Sequence, residues 1–360
     1  MVTLAGLQEY YRGSRVFITG HTGFKGAWLM ACLHLAGATI KGYALEDEHE
    51  EGIFRILSPL SGVDCCIADI RDKVRLKNEL LAFQPDYVFH LAAQPLVRRS
   101  YEIPADTFEI NVAGTASLLE AVNQVEKQCV VLVVTTDKVY ENKETGALYR
   151  EEDPLGGHDP YSTSKACAEL VVDSFRKSFF NAAVQAGFGY QRAVASARAG
   201  NVIGGGDWSQ DRIIPDIVRA LQTGEKVQVR NPGSVRPWQH VLEPVCGYLQ
   251  LAGRLYRAPE TYAKSYNFGP LPEDHLMVRE LVDIAIGRWG SGNWKDVSAP
   301  YAPHEAGVLK LDVSRARKEL GWIPRLDARE AIQWTIDWYR QKRTGRAAFT
   351  FEQIKSYLSR

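Results

Sequence analysis

The stretch Arg15-Val16-Phe17-Ile18-Thr19-Gly20-His21-Thr22-Gly23-Phe24-Lys25-Gly26-Ala27-Trp28-Leu29 decides the fold. Val16, Phe17 and Ile18 form a short apolar, β-prone run that breaks into glycines. An apolar helical pattern (Leu29, Leu33, Ala36) follows, so the stretch predicts strand, tight turn and helix. Gly20 can turn with φ above zero, Gly23 lets backbone N–H groups approach a pyrophosphate, and Gly26 lets the helix lie close on its strand. With the positive end of the helix dipole aimed at the phosphates, this is a cradle for a dinucleotide. Its spacing is G-x-x-G-x-x-G rather than the commoner G-x-G-x-x-G.

Working outward, Thr39 to Leu45 reads as a second strand. Glu46 and Asp47 follow at the distance where an acidic side chain meets the adenine ribose. No Arg adjoins that strand end in the sequence, which favours NAD over NADP. Cys65 to Ala68 is a third strand ending at Asp69-Ile70, with Asp69 placed to reach the adenine amino group. Asp72 caps an amphipathic helix (Val74, Leu76, Leu80, Leu81) stopped by Pro85. Tyr87 to Leu91 is a buried strand ending in Ala92-Ala93-Gln94, small residues that let a flat ring pass close to the backbone. Pro104 to Val125 reads as one long helix, Val130 to Thr135 as a fifth strand, Tyr161 to Phe180 as a helix and Ala193 to Ala199 as a strand.

This alternation predicts an α/β, doubly wound parallel (Rossmann) sheet whose ligands lie at the carboxyl ends of the strands, with Thr19, Ala92 and Thr136 facing one crevice. Beyond Gly204 the chain is irregular and rich in Gly, Pro, Trp and Arg through His240. Residues 1–200 are therefore expected to form the dinucleotide-binding domain, with the catalytic residues. Residues 201–360 are expected to form a smaller mixed substrate-binding lobe, with room for the chain to cross back. Thr350 to Arg360 reads as a terminal helix without evident chemistry.

Lys+Arg and Asp+Glu are both 43, so no global field favours nucleic acid, and an anionic ligand must be held by local cations. The six cysteines show no C-x-x-C spacing and mostly sit in apolar runs, as expected of reduced thiols in a cytoplasm. No run reaches the roughly 18 apolar residues of a membrane span, and Met1 to Arg15 has no secretory pattern. His90 is expected to hold a strand end, since no second metal ligand lies at metal spacing.

Tyr161-Ser162-Thr163-Ser164-Lys165 sets a phenol and an ammonium four residues apart, on one helix face. A phenol is a poor base at neutral pH, but an adjacent Lys⁺ and a cationic nicotinamide favour the phenolate. Tyr161 could then take a proton from an alcohol as hydride leaves it.

Taken with Gly20-x-x-Gly23-x-x-Gly26, four further motifs resemble the extended short-chain dehydrogenases/reductases acting on nucleotide sugars, over nearly the whole chain. They are His90-Leu-Ala-Ala93, Asn111-Val-Ala-Gly114-Thr115, Thr135-Thr136-Asp137-Lys138-Val-Tyr140 and Tyr161-x-x-x-Lys165. More narrowly, several stretches are similar to the branch of that family that dehydrates CDP-glucose. These are Ala92-Ala-Gln94-Pro-Leu-Val-Arg98, Thr136-Asp137-Lys138, Arg198-Ala-Gly-Asn201-Val-Ile-Gly-Gly-Gly-Asp207-Trp208, Asn231-Pro, Arg236-Pro-Trp238-Gln-His240-Val-Leu-Glu-Pro244 and Pro303-His304-Glu305-Ala306. Dehydratases of dTDP-glucose carry Thr-Asp-Glu where this chain has Thr136-Asp137-Lys138, and epimerases lack the acidic residue there. Many relatives also have an Arg-Pro pair where this chain has Ala302-Pro303-His304-Glu305.

The resemblance implies NAD as cofactor, held by Gly20, Thr22, Gly23, Phe24, Lys25, Gly26, Asp69, Ile70, Leu91, Ala92, Ala93, Tyr161 and Lys165. It implies catalysis by Thr136, Asp137, Lys138, Tyr161 and Lys165. Tyr161 would deprotonate the glucose C4 hydroxyl, with Thr136 as hydrogen-bond partner. Asp137 would be the acid at C6, and Lys138 either the base at C5 or a cation that stabilises the enolate. Asn201, Arg212 and Arg236 would meet the diphosphate and nucleotide. Gln94, Arg98, Asn111, His304 and Glu305 would line the sugar pocket. No metal, nucleic acid or membrane is expected; a homodimer or dimer of dimers is, through the helices near 104–125 and 161–180. Trp208 and Trp238 suit either base stacking or core packing. Three other readings are a dehydratase of another nucleoside-diphosphate glucose; a nucleotide-sugar 4-epimerase, which needs no acid and base at 137 and 138; and a non-catalytic NAD sensor, which needs none of Tyr161, Lys165 and Asp137.

Overall fold

The computed structural model describes residues 2–58, 60–143, 146–298 and 309–360. Seven strands form one sheet: β1 (Arg15–Thr19), β2 (Thr39–Ala44), β3 (Val63–Ile67), β4 (Tyr87–His90), β5 (Cys129–Val134), β6 (Arg192–Ala199) and β7 (Ser265–Phe268). Their order is β7-β6-β5-β4-β1-β2-β3 and every pairing is parallel. The order reverses at β1, which opens a crevice at the carboxyl ends of β1 and β4.

The helices used below are α1 (Leu4–Tyr11), α2 (Phe24–Ala36), α3 (Lys73–Phe83), α4 (Gly114–Val122), α5 (Pro160–Ser178), α6 (Ile213–Thr223), α7 (Leu242–Arg257), α8 (Ala328–Arg340) and α9 (Arg346–Leu358). Apolar side chains on each strand alternate between two layers. Val16 and Ile18 of β1, with Val130, Leu132 and Val134 of β5, pack with α2, α7 and α8. Phe17, Val131 and Val133 pack with α3, α4 and α5. A strand covered on both faces can be apolar at every position, which is why β5 reads as one continuous run. Trp28, Leu29 and Leu33 of α2 are fully buried, each contributing roughly 1.5–3 kcal/mol of transfer free energy.

Local signals explain most boundaries. Asp72 accepts from Arg75 N at 3.0 Å and starts α3, which ends at Gln84 in the left-handed region (φ 46°) just before Pro85. Asp159 caps α5, accepting from Ser162 N at 2.9 Å, with Pro160 in the first turn. The single helix expected over 104–125 is instead three pieces. A π-turn at Glu109–Ala113 separates the short helix Pro104–Phe108 from α4. The extra residue of the wide turn carries Asn111 inward, where its side chain bonds Gln94 N (2.9 Å) and Ser164 Oγ (2.8 Å). β7 brings the chain back into the sheet from beyond residue 201, and α7 shares a layer with α2.

Candidate active site

The glycine turn has the geometry its spacing predicts. Gly20 has φ +77°, and a Cβ there would lie 2.6 Å from Ala92 N; a Cβ on Gly26 would overlap the Gly20 carbonyl. These two glycines are required by the protein's own packing. Gly23 is exposed and a Cβ would make only an ordinary 3.5 Å contact, so its lack of side chain serves space outside the chain. Gly23 is also the N-cap of α2 and offers no side-chain acceptor, leaving the first amides of a fully packed helix open. Thr22 Oγ1 donates to Leu45 O at 2.8 Å, tying the turn to the end of β2. Phe24 packs against Gly204.

At the switch point a buried chain of polar groups fixes the crevice floor. Thr115 Oγ1 donates to Asn111 O at 2.7 Å, so His90 Nε2–H must donate to Thr115 (2.9 Å). Nδ1 then accepts from Thr19 Oγ1 (2.7 Å), which in turn accepts from Ala92 N (3.3 Å). Burial, with Lys165 nearby, lowers the His90 pKa to about 3, so the ring stays neutral and keeps this tautomer. Among the described residues no cluster of His, Cys, Asp or Glu suits a metal ion.

β5 and α5 meet beside this floor. Thr136, Asp137 and Lys138 follow β5 directly, and Tyr161 and Lys165 lie one turn apart on α5. The Tyr161 phenol faces the Thr136 hydroxyl, and Thr136 Oγ1 donates to Asp137 Oδ1 at 2.9 Å. Lys165 Nζ donates to Val134 O at 3.2 Å. Burial lowers the Lys165 amine to about 8, with Glu169 opposing. The expectation that cations free the phenolate is not met by the chain alone. Burial raises the Tyr161 pKa and outweighs the Thr136 hydroxyl and the Arg212 guanidinium, which pull it down. Burial lowers Lys25 to about 8 as well, with Arg212 and Lys165 adding to the shift and Asp137 and Asp207 opposing it. Lys25, Asp137, Lys165 and Arg212 therefore share one crevice.

Three supports escaped the sequence reading. Glu169, one turn beyond Lys165, accepts from Thr135 Oγ1 (2.5 Å), Ser196 Oγ (2.7 Å) and Arg198 Nη2 (2.9 Å). The Glu169–Arg198 pair is almost fully buried beneath the site. The i, i+4 spacing from Lys165 was its signal. Gly200 abuts the Asp137 carboxyl so closely that a Cβ would overlap it; nothing local in the sequence marks that approach.

Other expected contacts are engaged elsewhere. The Asp69 carboxylate, expected at adenine, is bidentate with Arg71 (Nη2–Oδ2 2.7 Å, Nε–Oδ1 3.1 Å); Tyr43 OH donates to its carbonyl. An Arg does reach the end of β2: Arg55, from a short helix later in the chain, donates to Glu46 Oε1 at 3.0 Å and Asp47 O at 2.9 Å. Sequence proximity could not reveal it. Gln94 and Asn111, expected at the sugar, use their amides internally: Gln94 bonds Leu96 and Thr107, and Asn111 bonds Gln94 and Ser164. They shape the loop that holds Ala92 and Ala93 rather than present free donors. Arg98 pairs with Asp211 at 3.4 Å. Asn201 has φ +51°, and its carbonyl accepts from Gln239 N at 3.2 Å. Arg236 Nη1 donates to Val235 O at 3.2 Å. Leu91 N donates to Thr19 O at 3.0 Å, and Ile70 packs on Gly114. Trp208 Nε1 donates to Glu51 O at 2.7 Å and its ring meets Tyr339, while Trp238 is buried. His304 and Glu305 lie outside the described residues.

A doubly wound sheet with this glycine cradle, and a Tyr-x-x-x-Lys pair at the end of β5, defines an extended short-chain dehydrogenase/reductase. The chain belongs to the GDP-mannose 4,6 dehydratase family, whose model matches residues 17–335. It is 48% identical over 335 residues, 92% of each chain, to a CDP-glucose 4,6-dehydratase of Salmonella typhimurium. It is 31% identical over 338 residues, 91% of this chain and 93% of the relative, to a dTDP-glucose 4,6-dehydratase of Streptomyces antibioticus. The same fold is seen in the dTDP-glucose 4,6-dehydratase DesIV of Streptomyces venezuelae, solved with NAD and TYD bound. There the TM-score is 0.75 and identity 23%, covering 93% of this chain and 99% of that one. No helix among the described residues is long and apolar enough to cross a membrane.

Proposed function

We propose that this chain converts CDP-glucose to CDP-4-dehydro-6-deoxy-glucose with NAD as resident cofactor, in a cytoplasmic dimer serving deoxysugar synthesis. The observation that carries the reading is the run Tyr161–Thr136–Asp137, in which Thr136 donates to Asp137, with Lys165 and Lys138 beside it. It groups a base for an alcohol with an acid for a leaving hydroxyl. The cradle suits NAD: open amides at the start of α2, exposed Gly23 and the small Ala92-Ala93 floor fit a pyrophosphate and a flat ring. Bound NAD supplies a reversible hydride sink, so that the C4 hydride is returned at C6 and no net redox results.

Tyr161 takes the C4 hydroxyl proton, with Lys165 and the positive charge of bound NAD⁺ offsetting the burial that raises its pKa. Once C4 is a carbonyl, the C5 proton is acidic and the C6 hydroxyl is β to the carbonyl. Asp137 gives its proton to the C6 oxygen, which leaves as water. Lys138 either removes the C5 proton, after losing its own, and gives it back to C5 when C6 takes the hydride, or stays charged and stabilises the enolate while another group carries that proton out and back. Arg212, which faces Tyr161 and has no ion-pair partner among the described residues, is the leading candidate for the diphosphate.

Competition among CDP-, dTDP-, UDP- and GDP-glucose, with product mass, tests the reading. It predicts preference for CDP-glucose and a product lighter by one water. A product of unchanged mass would favour a 4-epimerase.

A further inference from the structure

The turn that follows β2 is held from the far end of the chain. Asp47 Oδ1 accepts from His49 N at 2.9 Å, and Gly52 N donates to His49 O at 2.9 Å. Gly52 leaves no room for a side chain beside Asp47 Oδ2. That oxygen is buried and has no hydrogen-bond partner. From outside the turn, Glu51 is gripped twice: its carbonyl accepts from Trp208 Nε1 at 2.7 Å and its carboxylate meets Arg346 Nη1 at 3.0 Å. Glu50 O accepts from Arg343 Nη2 at 3.0 Å, and Ile53 N donates to Gly206 O at 3.2 Å.

Arg346 is a built feature. Only 5% exposed, it donates to Tyr339 O (3.2 Å) and Gln341 O (3.2 Å), and its guanidinium lies 4.9 Å from the Trp338 ring centroid. Glu51 is its one carboxylate partner among the described residues. A buried guanidinium needs its anion, so the start of α9 and the turn 46–52 are bound to one another. The same turn joins the glycine cradle through Thr22 and Leu45. In a doubly wound sheet the end of β2 faces the adenosine ribose of a bound dinucleotide.

We propose that Arg346 is a positioning residue for the cofactor: through Glu51 it fixes the turn that closes the adenosine end of the cradle. This rests on the NAD reading above. The C-terminal helix, which contributes no group to the chemistry, thereby sets how tightly the cofactor is retained.

The test is titration of the cofactor-free full chain with NAD⁺, ADP-ribose and CDP. Arg346→Met and Glu51→Gln should each weaken NAD⁺ and ADP-ribose about tenfold, the size of one charge-assisted hydrogen bond. CDP binding should not change, kcat at saturating NAD⁺ should stay within about twofold, and Arg346→Lys should recover most of the affinity. If Arg346→Met does not fold, Glu51→Gln decides, because its altered side chain is 43% exposed. Folded variants with wild-type NAD⁺ affinity, or with equal losses for CDP, would overturn the proposal. Failure of the wild-type chain to bind NAD⁺ would instead overturn the functional reading and, with it, this one.

Discussion

Gly200 lies so close to the Asp137 carboxyl, whose Oδ1 accepts from Thr136 Oγ1 at 2.9 Å, that no volume for a Cβ remains between them. The carboxyl is therefore bonded to a hydroxyl and packed on a bare backbone. Gly200→Ala must displace it, and a shift near 1 Å in a reacting group can cost about a hundredfold in rate. Stopped-flow comparison should show cofactor reduction proceeding while loss of water slows by that order; equal slowing of both would mean that Asp137 has no separate part in elimination.

Lys165 puts function and stability in opposition. Its pKa is lowered by burial to about 8, below its unfolded value, so at neutral pH the protein carries a buried ammonium at a cost. That cost falls as pH rises from about 8 towards the unfolded value near 10.4. Lys165→Met should abolish alcohol oxidation and raise Tm by about 2–4 °C at pH 7, with the gain vanishing above pH 10. Calorimetry across pH checks both the sign and the window.

Glu169 works the other way. Burial pushes its pKa up, but Arg198 and the Thr135 and Ser196 hydroxyls hold it below the ordinary glutamate value. A depressed carboxylate contributes stability above its unfolded pKa and loses it as pH falls through the folded one. Glu169→Gln strands Arg198 in the interior and should cost about 3–5 kcal/mol in urea unfolding at pH 7, with the difference shrinking in acid.

The sheet was legible because its signals are local: continuous apolar runs at β1 and β5, the glycine spacing after β1, and Asp72 at the start of α3. That Tyr161 and Lys165 lie one turn apart was legible because a four-residue spacing on a helix fixes a shared face. What escaped is made by distant segments. Asp211 pairing with Arg98 and Arg346 gripping Glu51 depend on packing between elements far apart in sequence, and Arg55 reaches Glu46 only because the turn between them folds back. Gln94 and Asn111 were expected at the sugar, yet the loop after β4 folds the Gln94 amide onto Leu96 and Thr107, and a π-turn that no periodicity announces directs Asn111 into the protein.

Lys138 separates two chemistries. Its amine has no ion-pair partner among the described residues, and its backbone N–H bonds Thr136 at 3.4 Å. If it is the base, Lys138→Ala should slow exchange of the C5 proton by about 100-fold or more, and Lys138→Glu should restore part of it. Equal exchange in the two variants would assign it to enolate stabilisation instead.

The central claim is that Tyr161, Asp137 and Lys138 move the protons of a dehydration in which the C4 hydrogen would reappear, by way of bound NAD, at C6. CDP-glucose deuterated at C4 tests it in one experiment. The account predicts a product lighter by one water that carries the label at C6. Label lost to solvent, or retained at C4, would contradict it.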